Sequence, residues 1–190
     1  MKPKDENKVR EIHRATLALV KEKGLAGITI EQIAKQAGLA TGTVYIYFTN
    51  KDELINSLFA ICRKASAEVY FKNYDPRAPF KEGFRTVWMN LLQYRMERFE
   101  EAVFIEQCYH SPFINAGNRD ISNQLLKPLF SLIERGKNEQ LIKPVDTLLL
   151  LAYIIGAMSE IVRLTHYQGR KLSNKEVEAV FGLCWDGLRT

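Results

Sequence analysis

A chain of 190 residues that is 46% hydrophobic and 26% charged can bury the cores of one or two modest domains, which excludes a disordered or fibrous protein. Its formal net charge of +5 is uneven: residues 1–72 hold 12 Lys and Arg against 8 Asp and Glu, so a polyanionic partner is to be sought there first. Three scattered cysteines, Cys62, Cys108 and Cys184, with no CxxC spacing, argue against a disulfide framework and fit packed thiols in a reduced, cytoplasmic protein.

Residues 1–5 read as a loose basic arm; the N-terminus has no apolar core and so no signal peptide. Lys8 to Lys23 repeats Val9, Ile12, Ala15, Leu19 and Val20 at helical spacing and stops at Gly24. Its polar face carries Lys8, Arg10 and Arg14, which suit a phosphate contact and a solvated surface equally well.

The next stretch, TIEQIAKQAGLATGTVYIYFTNK, reads as two short helices around a glycine. Thr29-x-x-Gln32 is a capping box that opens a helix with Ile30, Ile33, Ala34 and Ala37, and Gly38 stands where a C-terminal cap ends it. A second segment runs from Thr41 to Phe48, and Asn50-x-x-Glu53 opens a further helix. This is the layout of a helix-turn-helix. At about 100° per residue, Val44 and Phe48 point inward with Leu39. Gly42, Thr43, Ile46 and Tyr47 are then expected outward, with Tyr45 at the edge. An outer face with no charge is poor chemistry for water and good chemistry for the DNA major groove. There Thr bonds a base edge, Ile touches a thymine methyl and Gly lets backbone approach phosphate.

From Thr29 to Leu54 the residues Thr29, Ile30, Ile33, Ala34, Ala37, Gly38, Leu39, Gly42, Val44, Tyr45, Tyr47, Phe48, Lys51 and Leu54 fall in one ungapped pattern. That pattern resembles the DNA-binding motif of TetR-family transcriptional regulators. The resemblance implies phosphate contacts from Thr29, Tyr45, Tyr47 and Lys51, and a base-facing set of Thr41, Gly42, Thr43 and Ile46. Ala40 lies in the same contact region but departs from the polar or basic residue of many relatives, and Tyr47 stands where many have His. Base preference is therefore expected to rest on Thr43 and Ile46. Lys51→Ala is expected to weaken binding to every sequence and to flatten its salt dependence.

Lys51 toward Phe71 reads as a long connecting helix, and Asn73 to Pro79, with its two prolines, as the clearest break. The expected domains are therefore residues 6–72, with the helix-turn-helix at about 29–48 and the connecting helix at about 51–71, and residues 73–190. Further helices are expected over Phe80 to about Glu101, Ala102 to Tyr109 and Arg119 to Gln140, with Pro128 kinking or breaking the last near Gln124 to Lys127. Pro144 precedes a helix reaching about Tyr167, whose apolar run Leu148 to Met158 falls short of the roughly 20 residues of a membrane span. This predicts a helix buried on nearly every side and no membrane partner. Ser173-x-x-Glu176 caps the last helix. The fold class is all-α, with about nine helices.

Ala152 and Gly156, with the stripe Val177, Phe181, Cys184 and Leu188, suit close approach of another helix. The resemblance implies a homodimer through the last two helices, binding palindromic double-stranded DNA as a repressor. It also implies a small-molecule effector bound in residues 73–190. The rings there point to an apolar or aromatic effector, with Phe84, Trp88, Phe104, Tyr109 and Tyr153 as pocket candidates and Glu106, His110, Glu160 and Arg163 as polar anchors. Glu106 and His110, four apart on one helical face, could build a metal pair or general base but read more simply as an ion pair; with no nucleophile motif or phosphate-binding glycine loop, neither an enzyme nor a cofactor is expected. Two other readings stay open: an all-α enzyme or carrier with an incidental helix-turn-helix, and a DNA-binding dimer with no ligand.

Overall fold

The computed structural model describes residues 5–109 and 111–190; among these it has nine α-helices and no strand. They are α1 (Glu6–Lys23), α2 (Ile30–Gln36), α3 (Thr41–Tyr47), α4 (Lys51–Tyr70), α5 (Phe80–Glu97), α6 (Phe99–Tyr109), α7 (Ala116–Asn138), α8 (Thr147–Tyr167) and α9 (Asn174–Leu188). The all-α expectation is met. The expected basic arm, apart from Asp5, and the anchor candidate His110 lie outside the described residues.

The chain forms two compact units. Unit 1 runs to Ala65 and resumes over Arg98–Gln124; unit 2 comprises Ser66–Glu97 and Leu125–Thr190. The division passes through α4 and α7, not through the turn at Asn73–Pro79. That turn is instead tied down within unit 2: the Arg135 guanidinium donates to the carbonyls of Pro76 (2.7 Å) and Ala78 (2.9 Å).

Unit 1 is built on α1. Asp5 caps it through the Asn7 amide, and Ile12, Ala15, Leu19 and Val20 are buried against α2 and α6. Gly24 ends the helix with φ +74°, a conformation that disfavours side chains with a Cβ. Lys21 pairs with Glu100 of α6 at 2.6 Å. On the same helix, Gln107 accepts from the Leu25 amide at 2.8 Å and donates to the Val20 carbonyl at 3.4 Å. The α1–α2 turn is thereby fixed from α6, a contact across some 80 residues of sequence.

In unit 2, α5 and α9 meet through rings. Trp88 stands edge-on to Phe181 at 5.3 Å, and Phe84 lies 5.9 Å from Trp185. The Arg85 and Lys81 cations cover the outer rings of Phe181 and Trp185. At the α7–α8 junction, Thr147 donates to the Glu134 carboxylate and accepts from Lys137. Asp146 caps α8 through the amides of Leu148 and Leu149.

Two expectations are corrected. Of the kink or break expected at Pro128, the break does not occur: α7 is continuous across it. Both Pro128 and Gln124, the residue whose carbonyl loses its partner, are exposed, so water can take that bond. Nor is α8 buried on nearly every side. Leu150, Leu151, Ile154, Met158 and Val162 are buried, but Leu148 (58% exposed), Leu149 (63%), Tyr153 (48%) and Leu164 (53%) open onto solvent. α8 has 21 residues, with a mean hydropathy of 1.7 over its most apolar 18, which is the length and composition of a membrane-crossing helix. Two apolar faces, only one of them covered by its own unit, account for that hydropathy without a bilayer.

Candidate nucleic-acid interface

The site is assembled by local chemistry. The Thr29 hydroxyl accepts from the Gln32 amide (3.3 Å) while the Gln32 side chain accepts from the Thr29 amide (3.1 Å), closing the capping box that starts α2. Ile33 and Ala34 of α2 are buried. Gly38, at φ +69°, turns the chain, and α3 follows. Asn50 accepts from the Glu53 amide at 2.8 Å and Glu53 accepts from the Thr49 amide at 2.6 Å, so α4 starts immediately beyond α3.

On α3, Val44 is fully buried and Phe48 is 6% exposed, as the spacing predicts. The His13 ring of α1 packs on Phe48 at 5.7 Å. Opposite lie Ile46, 72% exposed, Tyr45, 49% exposed, and Gly42, with Thr41 and Thr43 half-buried at the margins. α3 has no acidic residue in its first turn, no basic residue in its last turn, and no side-chain cap from Ala40.

Two site expectations change. Tyr47 does not face outward: its ring is 8% exposed. It stands i+3 from Val44, inside the buried stripe rather than opposite it. Lys51 is also engaged within the protein. Its ammonium donates to the carbonyls of Ile28 (2.9 Å) and Leu25 (3.1 Å) and lies over the Phe113 ring, 5.1 Å from the centroid. Tyr47 is thus buried, and Lys51 is half-buried with two of its donors on backbone carbonyls. Thr29 is exposed, but its amide and its oxygen serve the capping box. Its side chain also holds the exposed Glu31 carboxyl below the usual carboxylate range. On α1, Arg10 pairs with Glu6 at 3.7 Å and Arg14 with Glu11 at 3.4 Å.

The pocket candidates are divided between the two units. Phe84 and Trp88 line a small apolar cavity in unit 2, with Leu91, Leu129, Leu151 and Ile154. Its volume is about 10 Å³, against roughly 300 Å³ for a drug-sized site. Phe104 belongs to the core of unit 1 and is fully buried, Tyr109 is 51% exposed, and Tyr153 lies on the open side of α8. Of the anchor candidates, Glu160 and Arg163 pair with each other at 3.2 Å. Burial pushes the Cys62 and Cys108 thiols up to about 12 and Cys184 to about 11, leaving them inert at neutral pH. Among the described residues no group of three His, Cys, Asp or Glu could hold a metal ion.

Residues 12–58 match the model of the bacterial regulatory proteins of the tetR family, and residues 79–189 match that of the tetracyclin repressor-like C-terminal domain. The chain belongs to the TetR family. An uncharacterized HTH-type transcriptional regulator of Haemophilus influenzae is 33% identical over 87 residues, 46% of each chain. The match thus spans just under half the length of that relative. The fatty acid metabolism regulator protein of Bacillus subtilis is 42% identical over 52 residues, 27% of each chain. The whole fold is shared with a TetR family transcription regulator from Marinobacter aquaeolei VT8: TM-score 0.84, 24% identity, covering 100% of this chain and 99% of that one.

Proposed function

We propose that this TetR-family chain is a DNA-binding transcriptional regulator that acts in the cytoplasm as a dimeric repressor on a palindromic operator. The observation that carries the reading is the outer face of α3. An isoleucine side chain 72% open to water, flanked by Tyr45, Gly42 and two threonines, has no packing purpose within the protein. It suits a major groove, where Ile46 covers a thymine methyl and Thr41 and Thr43 bond base edges. Tyr45, and Thr29 at the start of α2, are exposed and would contact the flanking phosphates, and Ala40 leaves the first turn of α3 open to close approach.

The second copy is supported by the apolar side of α8, together with Leu183 of α9, which is 72% exposed. One short helix reads only a few base pairs, whereas two copies about 34 Å apart read successive major grooves. The effector is an apolar or aromatic molecule that enters unit 2 beside Phe84 and Trp88. Because the cavity there is small and apolar, the effector must open it, and it releases DNA only by preferring the arrangement that DNA does not. The same small cavity favours, as a second reading, a DNA-binding dimer that takes no ligand.

Selection of random duplexes on the purified protein tests the function. The expected product is an inverted repeat with half-sites one or more helical turns apart. A pool that gains no consensus after repeated rounds contradicts it.

A further inference from the structure

We propose that Arg95 is the head-group anchor of the effector site in unit 2, and that the effector is an organic acid: a carboxylate carried on an apolar chain or ring. The proposal rests on the ligand-binding reading above and names the chemistry of that ligand. In unit 2, Arg77, Arg85, Arg135, Arg163, Arg170 and Arg189 each pair with a carboxylate. Arg95 does not, although it is half-buried. It donates instead to neutral oxygens, from Nε to the Ser159 hydroxyl at 3.4 Å and from Nη1 to the Leu91 carbonyl at 3.3 Å. Both bonds are longer than the usual range of about 2.7–3.2 Å, and they use two of the roughly five N–H donors of a guanidinium. The carboxylates nearest in sequence serve other partners: Glu97 accepts from Gln93 at 2.8 Å, and Glu160 pairs with Arg163 at 3.2 Å.

The cation stands at the end of the apolar cavity. α5 and α8 pack together, and Leu91 of α5 and Ile155 of α8 both line that cavity. Arg95 lies one turn beyond Leu91, and Ser159 one turn beyond Ile155. The Arg95–Ser159 contact therefore bridges the two helices just past the cavity wall. The buried Tyr70 ring backs the guanidinium at 5.9 Å and is itself held edge-on by Tyr94 at 5.3 Å. A neutral apolar molecule in the cavity would leave this half-buried charge as it is. A carboxylate offers two oxygens that match the planar fork of the guanidinium, replacing long bonds to neutral acceptors with two charge-assisted ones. Its tail then runs from Arg95 past Leu91 and Ile155 toward Trp88. The cavity is closed to about 10 Å³, so the tail has to part these side chains, and the ion pair at the rim supplies the attraction that a bare hydrocarbon lacks.

The test is calorimetric titration of the full-length wild type and Arg95→Gln, without DNA, using three probes. Octanoate has the head and a tail, octanamide has the same tail without the charge, and acetate has the head alone. The wild type is expected to bind octanoate about tenfold or more tightly than octanamide, and acetate more weakly than either. Arg95→Gln is expected to bind octanoate and octanamide alike, at the wild-type level for octanamide, which also shows that its cavity is intact. Should Arg95→Gln fail to fold, the wild-type preference for octanoate over octanamide decides alone. Equal binding of those two probes by the wild type overturns the proposal while leaving the apolar effector in place. Undiminished octanoate binding by a folded Arg95→Gln overturns it too, since the charge is then met elsewhere. Binding of neither chain probe in the millimolar range overturns the proposal together with the effector reading, in favour of the dimer that takes no ligand. None of these outcomes depends on the selection of duplexes, so failure to bind DNA is read separately.

Discussion

Replacing Ile46 by Ala tests the reading face with little disturbance to the fold. With 72% of its surface open, Ile46 adds little to the core, so the substitution should leave stability within about 0.5 kcal/mol. Alanine is also the better helix former. On DNA the balance differs. Burying an isoleucine side chain completely is worth roughly 1.5–3 kcal/mol, so covering the open share against a methyl group corresponds to about 1–2 kcal/mol in each half-site. That is a factor of about 5–30 per half-site, and its square for two symmetric copies. The assay is competition binding with the selected duplex and with copies in which single thymines are replaced by uracil, which removes only the C5-methyl group. The wild type should lose affinity at one thymine per half-site, and Ile46→Ala should lose a similar amount and become indifferent to that replacement. A variant that distinguishes thymine from uracil as well as the wild type does would refute the assignment.

Gly156 is exposed on α8, and a Cβ built there meets nothing within 4 Å. Gly156→Arg should therefore keep or raise helicity in circular dichroism while converting the dimer to a monomer in light scattering; a variant that stays dimeric removes α8 from the interface. Gly136 faces the Phe80 ring so closely that an added Cβ would overlap it. Gly136→Ala should cost about 1–3 kcal/mol in denaturant unfolding, and an unchanged midpoint would mean that Phe80 can move aside. Burial holds the His13 imidazole below its ordinary value of 6.5. The unfolded chain therefore takes up this proton first, so the stability it confers is complete above about pH 6.5 and declines as pH falls toward the folded-state value. His13→Leu should flatten that part of the stability–pH curve, and an identical slope would assign the acid sensitivity elsewhere.

What could be read from the sequence was what is decided within one or two helical turns. The Thr29–Gln32 and Ser173–Glu176 boxes each need only residues three apart, and both close as the spacing implies. Val44 and Phe48 are inward for the same local reason. Tyr47 was misread because an i+3 neighbour of a buried residue was counted as opposite to it. Lys51 was beyond reach for a different reason: its carbonyl partners lie 23 and 26 residues away, and Phe113 lies further still. No local pattern announces that a basic residue beside α3 bonds the carbonyls of the α1–α2 turn. The hydropathy of α8 was plain, but composition does not distinguish a helix buried in its own core from one with an apolar face left open. The rings behaved similarly. Phe84, Trp88 and Phe104, named as pocket candidates, are buried, yet only contacts separate a cavity wall from a filled core.

The central claim is that the uncharged face of α3 reads DNA sequence. Its most direct measurement is binding of the purified full-length protein to duplex DNA from upstream of its own gene, titrated with salt in the presence of excess non-specific competitor. The account predicts competitor-resistant binding, a steep loss of affinity with salt, and two chains per site. Weak binding that is equal on upstream and unrelated duplexes would contradict it.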